Sequence, residues 1–154
     1  MNLYLVQHGK AVAKDVDSAR PLAEQGRVEV KKIAAFIEPL NLSVRCLWQS
    51  GKTRAAQTAE ILAEVIDTDK GILQRDGLGP NDDVGKLADE LNSADRDVMI
   101  VGHLPFLSKL TSLLITGSES TSIVAFKNGG VVSISRGGAN QWRLSWIVTP
   151  ELLG

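Results

Sequence analysis

The chain has 154 residues, 44% of them hydrophobic and 23% charged, the balance of one globular domain and not of a disordered or repetitive chain. Seventeen Lys and Arg against eighteen Asp and Glu leave a net charge of −1, which gives no electrostatic footprint for duplex nucleic acid or an anionic membrane. One cysteine and two histidines exclude a Cys/His zinc centre, so an anion site has to come from a local cluster of donors.

In chain order, Leu3 to Val6 is a short apolar run cut off by Gln7-His8, which reads as a first strand and not as a secretory core. A polar loop carrying Asp15, Asp17 and Ser18 ends at Arg20-Pro21-Leu22. Val30, Ile33, Ala34 and Ile37 then have the spacing of one helix face, with Pro39 as its stop. Val44 to Gln49 predicts a strand, followed by a helix from near Gly51 with a buried stripe of Ala55, Ala59, Leu62 and Ile66. A weak strand at Ile72-Leu73 leads through the turn Gly77 to Asp82 into a short helix with Val84, Leu87, Ala88 and Leu91 on one face. Val98 to Val101 is uninterrupted apolar sequence, as in a strand covered on both faces. It stops at Gly102-His103, and Pro105 suits the first turn of the next helix, whose apolar side is Phe106, Leu110, Leu113 and Leu114. Ser122 to Phe126, Val131 to Ser135 and Trp142 to Val148 predict strands, joined by turns at Asn128-Gly129-Gly130 and Gly137 to Asn140. Alternating strand and helix followed by hairpin-like connections predict a single α/β domain over residues 1–154. Its expected form is a three-layer αβα sandwich with a mostly parallel central sheet and antiparallel C-terminal strands. Lone Cys46 fits a reducing compartment, and no run approaches transmembrane length, so a cytoplasmic protein is expected.

Three predicted strands end in polar residues that packing does not require: Gln7-His8-Gly9, Gln49-Ser50 with Arg54 one helical turn on, and Gly102-His103. Carboxyl ends of parallel strands share one edge of a sheet, and ligands of open α/β sheets bind outside that edge. Both histidines of the chain and Arg54 therefore fall where a ligand would sit, with Gly9 and Gly102 read as allowing close approach of backbone to it. A neutral imidazole is a competent nucleophile, and a transferring phosphoryl group needs fixed donors around its oxygens. Arg54, His103, Gln7 and the N–H groups near Gly9 and Leu104 are donors of the right kinds, so the set points to phosphoryl transfer.

Leu5-Val6-Gln7-His8-Gly9 resembles the Arg-His-Gly signature of the histidine phosphatase (phosphoglycerate mutase-like) superfamily. Arg20-Pro21-Leu22 with Gly26, Ser50 to Ala59, and Val101-Gly102-His103-Leu104-Pro105 follow in that family's order, most similar to its small SixA-type phosphohistidine phosphatases. The resemblance implies that His8 is the nucleophile, that Arg54 and His103 bind the phosphoryl group, and that no metal or other cofactor is used. Arg20 then reaches phosphate or substrate, or else pairs with Asp15 or Asp17. Ser50 is read as a supporting contact and Lys52 as a solvated charge. Gln7 stands where most members have Arg and brings no positive charge; Gly51 replaces a frequent Pro, at an expected loss of some rigidity only. The general acid of larger members has no clear match, Asp82 and Asp83 being the nearest candidates. A labile P–N bond with an imidazole leaving group dispenses with such an acid, whereas a sugar alkoxide does not. The expected substrate is therefore phosphohistidine on a partner signalling protein, reached through an open, shallow pocket, with no nucleic acid or membrane partner. The alternatives are a small-molecule phosphomonoesterase, a non-catalytic phosphate-binding module, and a metal hydrolase built on His8, His103 and Asp82 or Asp83. The sequence leaves the oligomeric state open. Trp48, Trp142 and Trp146 are read as packing on the sheet, and Arg136 and Arg143 as surface charges.

Overall fold

A computed structural model describes residues 1–154. Six strands form one sheet: β1 (Asn2–Gln7), β3 (Cys46–Gln49), β5 (Ile72–Gln74), β6 (Val98–Gly102), β7 (Val131–Arg136) and β8 (Trp142–Val148). Two short strands, β2 (Ser43–Val44) and β4 (Asp67–Thr68), pair separately with each other. The order across the large sheet is β5-β3-β6-β1-β7-β8, parallel as far as β1 and antiparallel from β1 through β8. The four helices are α1 (Glu24–Ile37), α2 (Thr53–Ala63), α3 (Gly85–Ser93) and α4 (Phe106–Thr116).

Side chains alternate along a strand, and the two faces of β1 show the consequence. Leu3 and Leu5 pack with Leu87, Leu91, Leu107 and Leu110 of α3 and α4. Tyr4 and Val6 pack with Val30, Ile33, Ala55, Ala59 and Leu62 of α1 and α2. The sheet is thus covered on both sides, the three-layer αβα sandwich expected, and every residue of β6 is buried, as its unbroken apolar run required.

Three expectations change. Ser122–Phe126 forms no strand: Val124 and Phe126 are buried between exposed Ile123 and Ala125, so the period of two is real, but no neighbouring strand pairs with it. Val44–Gln49 divides at Arg45 into β2 and β3, which join different sheets. Arg136 is no surface charge; its guanidinium donates to the Leu91 and Ala94 carbonyls, capping the open C-terminus of α3.

Gly26 is what lets α1 approach the loop that follows β1. A β-carbon there would lie 2.1 Å from the Lys10 carbonyl oxygen, which also accepts the Ala23 N–H at 2.9 Å. Gly→Ala inside a helix ordinarily stabilises; here the clash is with backbone and reverses the sign. Gly26→Ala is expected to destabilise by about 2 kcal/mol and to lower Tm by roughly 4–8 °C. Thermal unfolding followed by circular dichroism checks this, and an unchanged or raised Tm would refute it.

Candidate functional site

The strand register builds the site. Gln7 pairs with Gly102 across the parallel β1–β6 ladder, so the next residues, His8 and His103, emerge side by side at the carboxyl edge. The His8 N–H donates to the Gly102 carbonyl at 3.0 Å, and the two imidazoles stand 5.0 Å apart between ring centroids. β3 ends one strand further along, and α2, which begins at its exit, turns Arg54 back onto His8. Arg54 Nε lies 3.3 Å from His8 Nε2. Both histidines and Arg54, from three distant stretches of chain, thus form one cluster.

Hydrogen bonding fixes the state of His8. Its Nδ1 is 2.7 Å from the Gly9 carbonyl, an acceptor only, so Nδ1 carries the proton and Nε2 keeps its lone pair, facing Arg54. Burial depresses the His8 pKa most; the Gly9 bond opposes this, and Arg54 and Arg20 depress it further. His103, only 1% exposed, is lowered to about 3 by burial first and then by His8, Arg54, Lys52 and Arg20. Both rings are therefore neutral at neutral pH. Arg54 is itself pushed down by burial and by the charge of Arg20. No carboxylate forms an ion pair with Arg54 or Arg20; the chain's three salt bridges lie elsewhere. The cluster is an uncompensated positive cradle around two neutral imidazoles.

Arg20 does not pair with Asp15 or Asp17. It sits in the left-handed region at φ 49°, its Nε donating to the Val12 carbonyl at 3.2 Å, and its charge reaches both histidines and Arg54. A non-glycine residue in that region is strained, and such strain concentrates at sites where a side chain is held in place. Leu104 is exposed beyond His103, and its N–H has no acceptor within the chain. Gln7 stays neutral beside the cradle, its Oε1 buried with no hydrogen-bond partner. Ser50 Oγ lies 2.6 Å from His103 Nε2, and Lys52 is exposed.

Two glycine readings are corrected, at Gly9 and Gly51. The Gly9 N–H is not a free donor, because it donates to Thr58 Oγ1 at 3.0 Å, and a β-carbon at Gly9 would meet Val30 at 2.8 Å. A β-carbon at Gly102 would make only ordinary contact with Leu107, at 3.4 Å, so helix packing demands glycine at Gly9 and not at Gly102. Gly51 is more than a softened proline: at φ +94° a proline ring cannot close, and the Gly51 N–H, which proline lacks, donates to Gln49 Oε1.

Sequence reasoning gave no role to Gln57, Thr58 or Asn128. Gln57 Oε1 accepts the Leu22 N–H at 2.7 Å and Thr58 holds Gly9, tying α2 to the loops that carry Arg20 and His8. Their positions three and four after Arg54, on the same helix face, were the available signal. Asn128 Nδ2 donates to the His8 carbonyl at 3.0 Å across 120 residues of sequence, a contact no local pattern announces. Asp82 serves its own turn, accepting the Gly79 N–H at 2.7 Å, and no three His, Cys, Asp or Glu side chains converge, so the metal-hydrolase alternative has no ligand set. None of the five surface clefts is lined by His8, Arg54 or His103.

An α/β sandwich of this strand order is the fold of the solved histidine phosphatases that the chain superposes on. Among them the chain resembles the SixA-type phosphohistidine phosphatases. It superposes with a TM-score of 0.86 on the tungstate complex of the protein histidine phosphatase SixA, at 22% identity and covering 100% of both chains. In sequence it is 23% identical over 155 residues to phosphohistidine phosphatase SixA of Escherichia coli, covering 97% of this chain and 94% of that one. An uncharacterised protein of Picosynechococcus sp. is 29% identical over 147 residues, 90% of this chain and 87% of its own. No family model matches the chain.

Proposed function

We propose that the chain is a metal-independent phosphatase that removes the phosphoryl group from phosphohistidine on a partner protein. One observation carries the reading: His8 Nδ1 is pinned to the Gly9 carbonyl, so Nε2 keeps the lone pair, which accepts only a long 3.3 Å hydrogen bond from Arg54 Nε, an arginine with no counter-ion. In the first step His8 Nε2 attacks phosphorus and the P–N bond to the partner's imidazole breaks, that ring taking a proton from solvent. In the second, water attacks phosphorus, the bond to Nε2 breaks, and inorganic phosphate leaves with His8 neutral again. Arg54 and Arg20 hold the equatorial oxygens, with the Leu104 N–H as a further donor and the neutral His103 packed against His8.

Two observations favour a protein-borne phosphoramidate over a phosphate ester. No Asp or Glu acts electrostatically on His8, His103 or Arg54, so none is at hand to protonate an alkoxide, and no cleft is lined by these three residues. A positioned acid contributes about 10²–10⁴-fold where the leaving group needs one. The kcat/KM for a phosphohistidine-bearing domain is therefore expected to exceed that for phosphoserine or phosphoglycerate by about 100-fold. Initial rates on the three substrates check it. The reverse ranking would assign a small-molecule phosphomonoesterase, and binding without turnover a phosphate-binding module.

A further inference from the structure

The contact between Ser50 and His103 has a polarity that the surroundings decide. Ser50 Oγ and His103 Nε2 are 2.6 Å apart, and His103 Nδ1 is buried with no hydrogen-bond partner. Oγ also accepts the Lys52 N–H, at 3.4 Å. If the serine hydroxyl donated to Nε2, the ring proton would sit on Nδ1, a buried donor with no acceptor. Orphaned buried N–H groups are rarer in folded proteins than under-used acceptors. With the proton on Nε2 the orphan is a bare lone pair instead. Ser50 Oγ then accepts from both His103 and Lys52, and its own O–H is left without an acceptor in the chain.

We propose that Ser50 holds His103 as the Nε2–H tautomer and turns its own hydroxyl into the cradle as an additional donor to a phosphoryl oxygen. This takes the phosphatase reading above as given for the second half only. Ser50 is then a positioning residue for His103 and a substrate contact at once. No proton is transferred: a neutral imidazole that lost its only N–H would become an anion, so the pair contributes hydrogen bonds alone. The ligand atom is an anionic phosphoryl oxygen, the strongest acceptor that the substrate brings to the cradle.

Two-dimensional NMR of the histidine ring nitrogens in the ligand-free protein reads the tautomer without any turnover. His103 is expected to be protonated at Nε2 in the wild type and to lose that preference in Ser50→Ala, with Ser50→Thr, which keeps the hydroxyl, restoring it. In steady-state assays on a phosphohistidine-bearing domain, Ser50→Ala is expected to lower kcat about 10-fold with KM changed by less than about 3-fold, and Ser50→Thr to recover most of it. An Nδ1–H tautomer in the wild type, or a tautomer indifferent to Ser50→Ala, overturns the assignment whatever the rates do. A wild type without turnover refutes the phosphatase reading instead and leaves the tautomer result standing.

Discussion

His8→Ala is expected to lower turnover of a phosphohistidine substrate by at least about 10⁴-fold, the scale seen when a covalent nucleophile is removed from a site whose parts act as a unit. It is also expected to abolish the phosphoenzyme trapped from labelled substrate. The quench should be alkaline and denaturing, because the P–N bond is labile in acid. No other group can take over the attack. His103 is the one remaining imidazole, but it is buried, with Nε2 engaged by Ser50 and Nδ1 enclosed. Cys46 is buried at the start of β3, at the other end of the strand from the cradle. His8→Asn, which keeps a polar side chain of similar reach, is expected to fail equally, since the loss is of nucleophilicity and not of volume. Tungstate or vanadate binding by either variant distinguishes a lost nucleophile from a lost fold. Label that persists without His8 would mean a different attacker and would sink the mechanism.

Much of this was readable from the sequence because the fold repeats a short rule. Apolar runs such as Val98–Val101 and the helix stripe Val30, Ile33, Ala34 and Ile37 are local signals, and parallel connection places their polar carboxyl ends together. That brings His8, Ser50, Arg54 and His103 to one edge before any coordinate is known. What escaped depends on contacts with no local signature. Ser122–Phe126 carries a strand's alternation, but whether a strand forms depends on a neighbour, and β8 already closes the sheet edge beside β7. Gly9 looked like a ligand-facing glycine because its sequence position is next to His8; the bulk that needs its missing side chain is Val30 and Leu22, on and just before α1. Arg136 reads as a late-strand charge until α3, more than 40 residues earlier, is seen to end against it. Such cases share a cause: the deciding group is remote in sequence, so pattern gives the element and packing gives the role.

Arg54→Ala is expected to lower kcat/KM by about 10²–10³-fold, the usual cost of removing one fixed donor from developing charge. The backbone around it should hold, since Thr58 bonds the Arg54 carbonyl and the Gly9 N–H, neither of which the truncation touches. The pH profile carries the sharper test. His8 must be neutral to attack, so activity falls on the acid side as Nε2 takes a proton. In the wild type that limb lies below the ordinary histidine range, because burial, Arg54 and Arg20 all depress the His8 pKa. Removing the Arg54 charge removes one of the depressing causes, so the limb moves to higher pH. Burial is the largest cause and remains, so the limb stays below the ordinary value of 6.5. The same sign governs stability: His8 and His103 bind protons more weakly folded than unfolded, so the folded state loses stability as pH falls below 6.5, for His103 down to about 3. Arg54→Lys separates charge from geometry. Its ammonium is expected to return the acid limb towards the wild-type position, while the rate stays at least about 10-fold low, because a point charge lacks the planar fork that meets two phosphoryl oxygens. Wild-type rate and an unmoved limb in Arg54→Ala would show that the guanidinium is only a neighbour of His8, and the cradle would lose its principal cation.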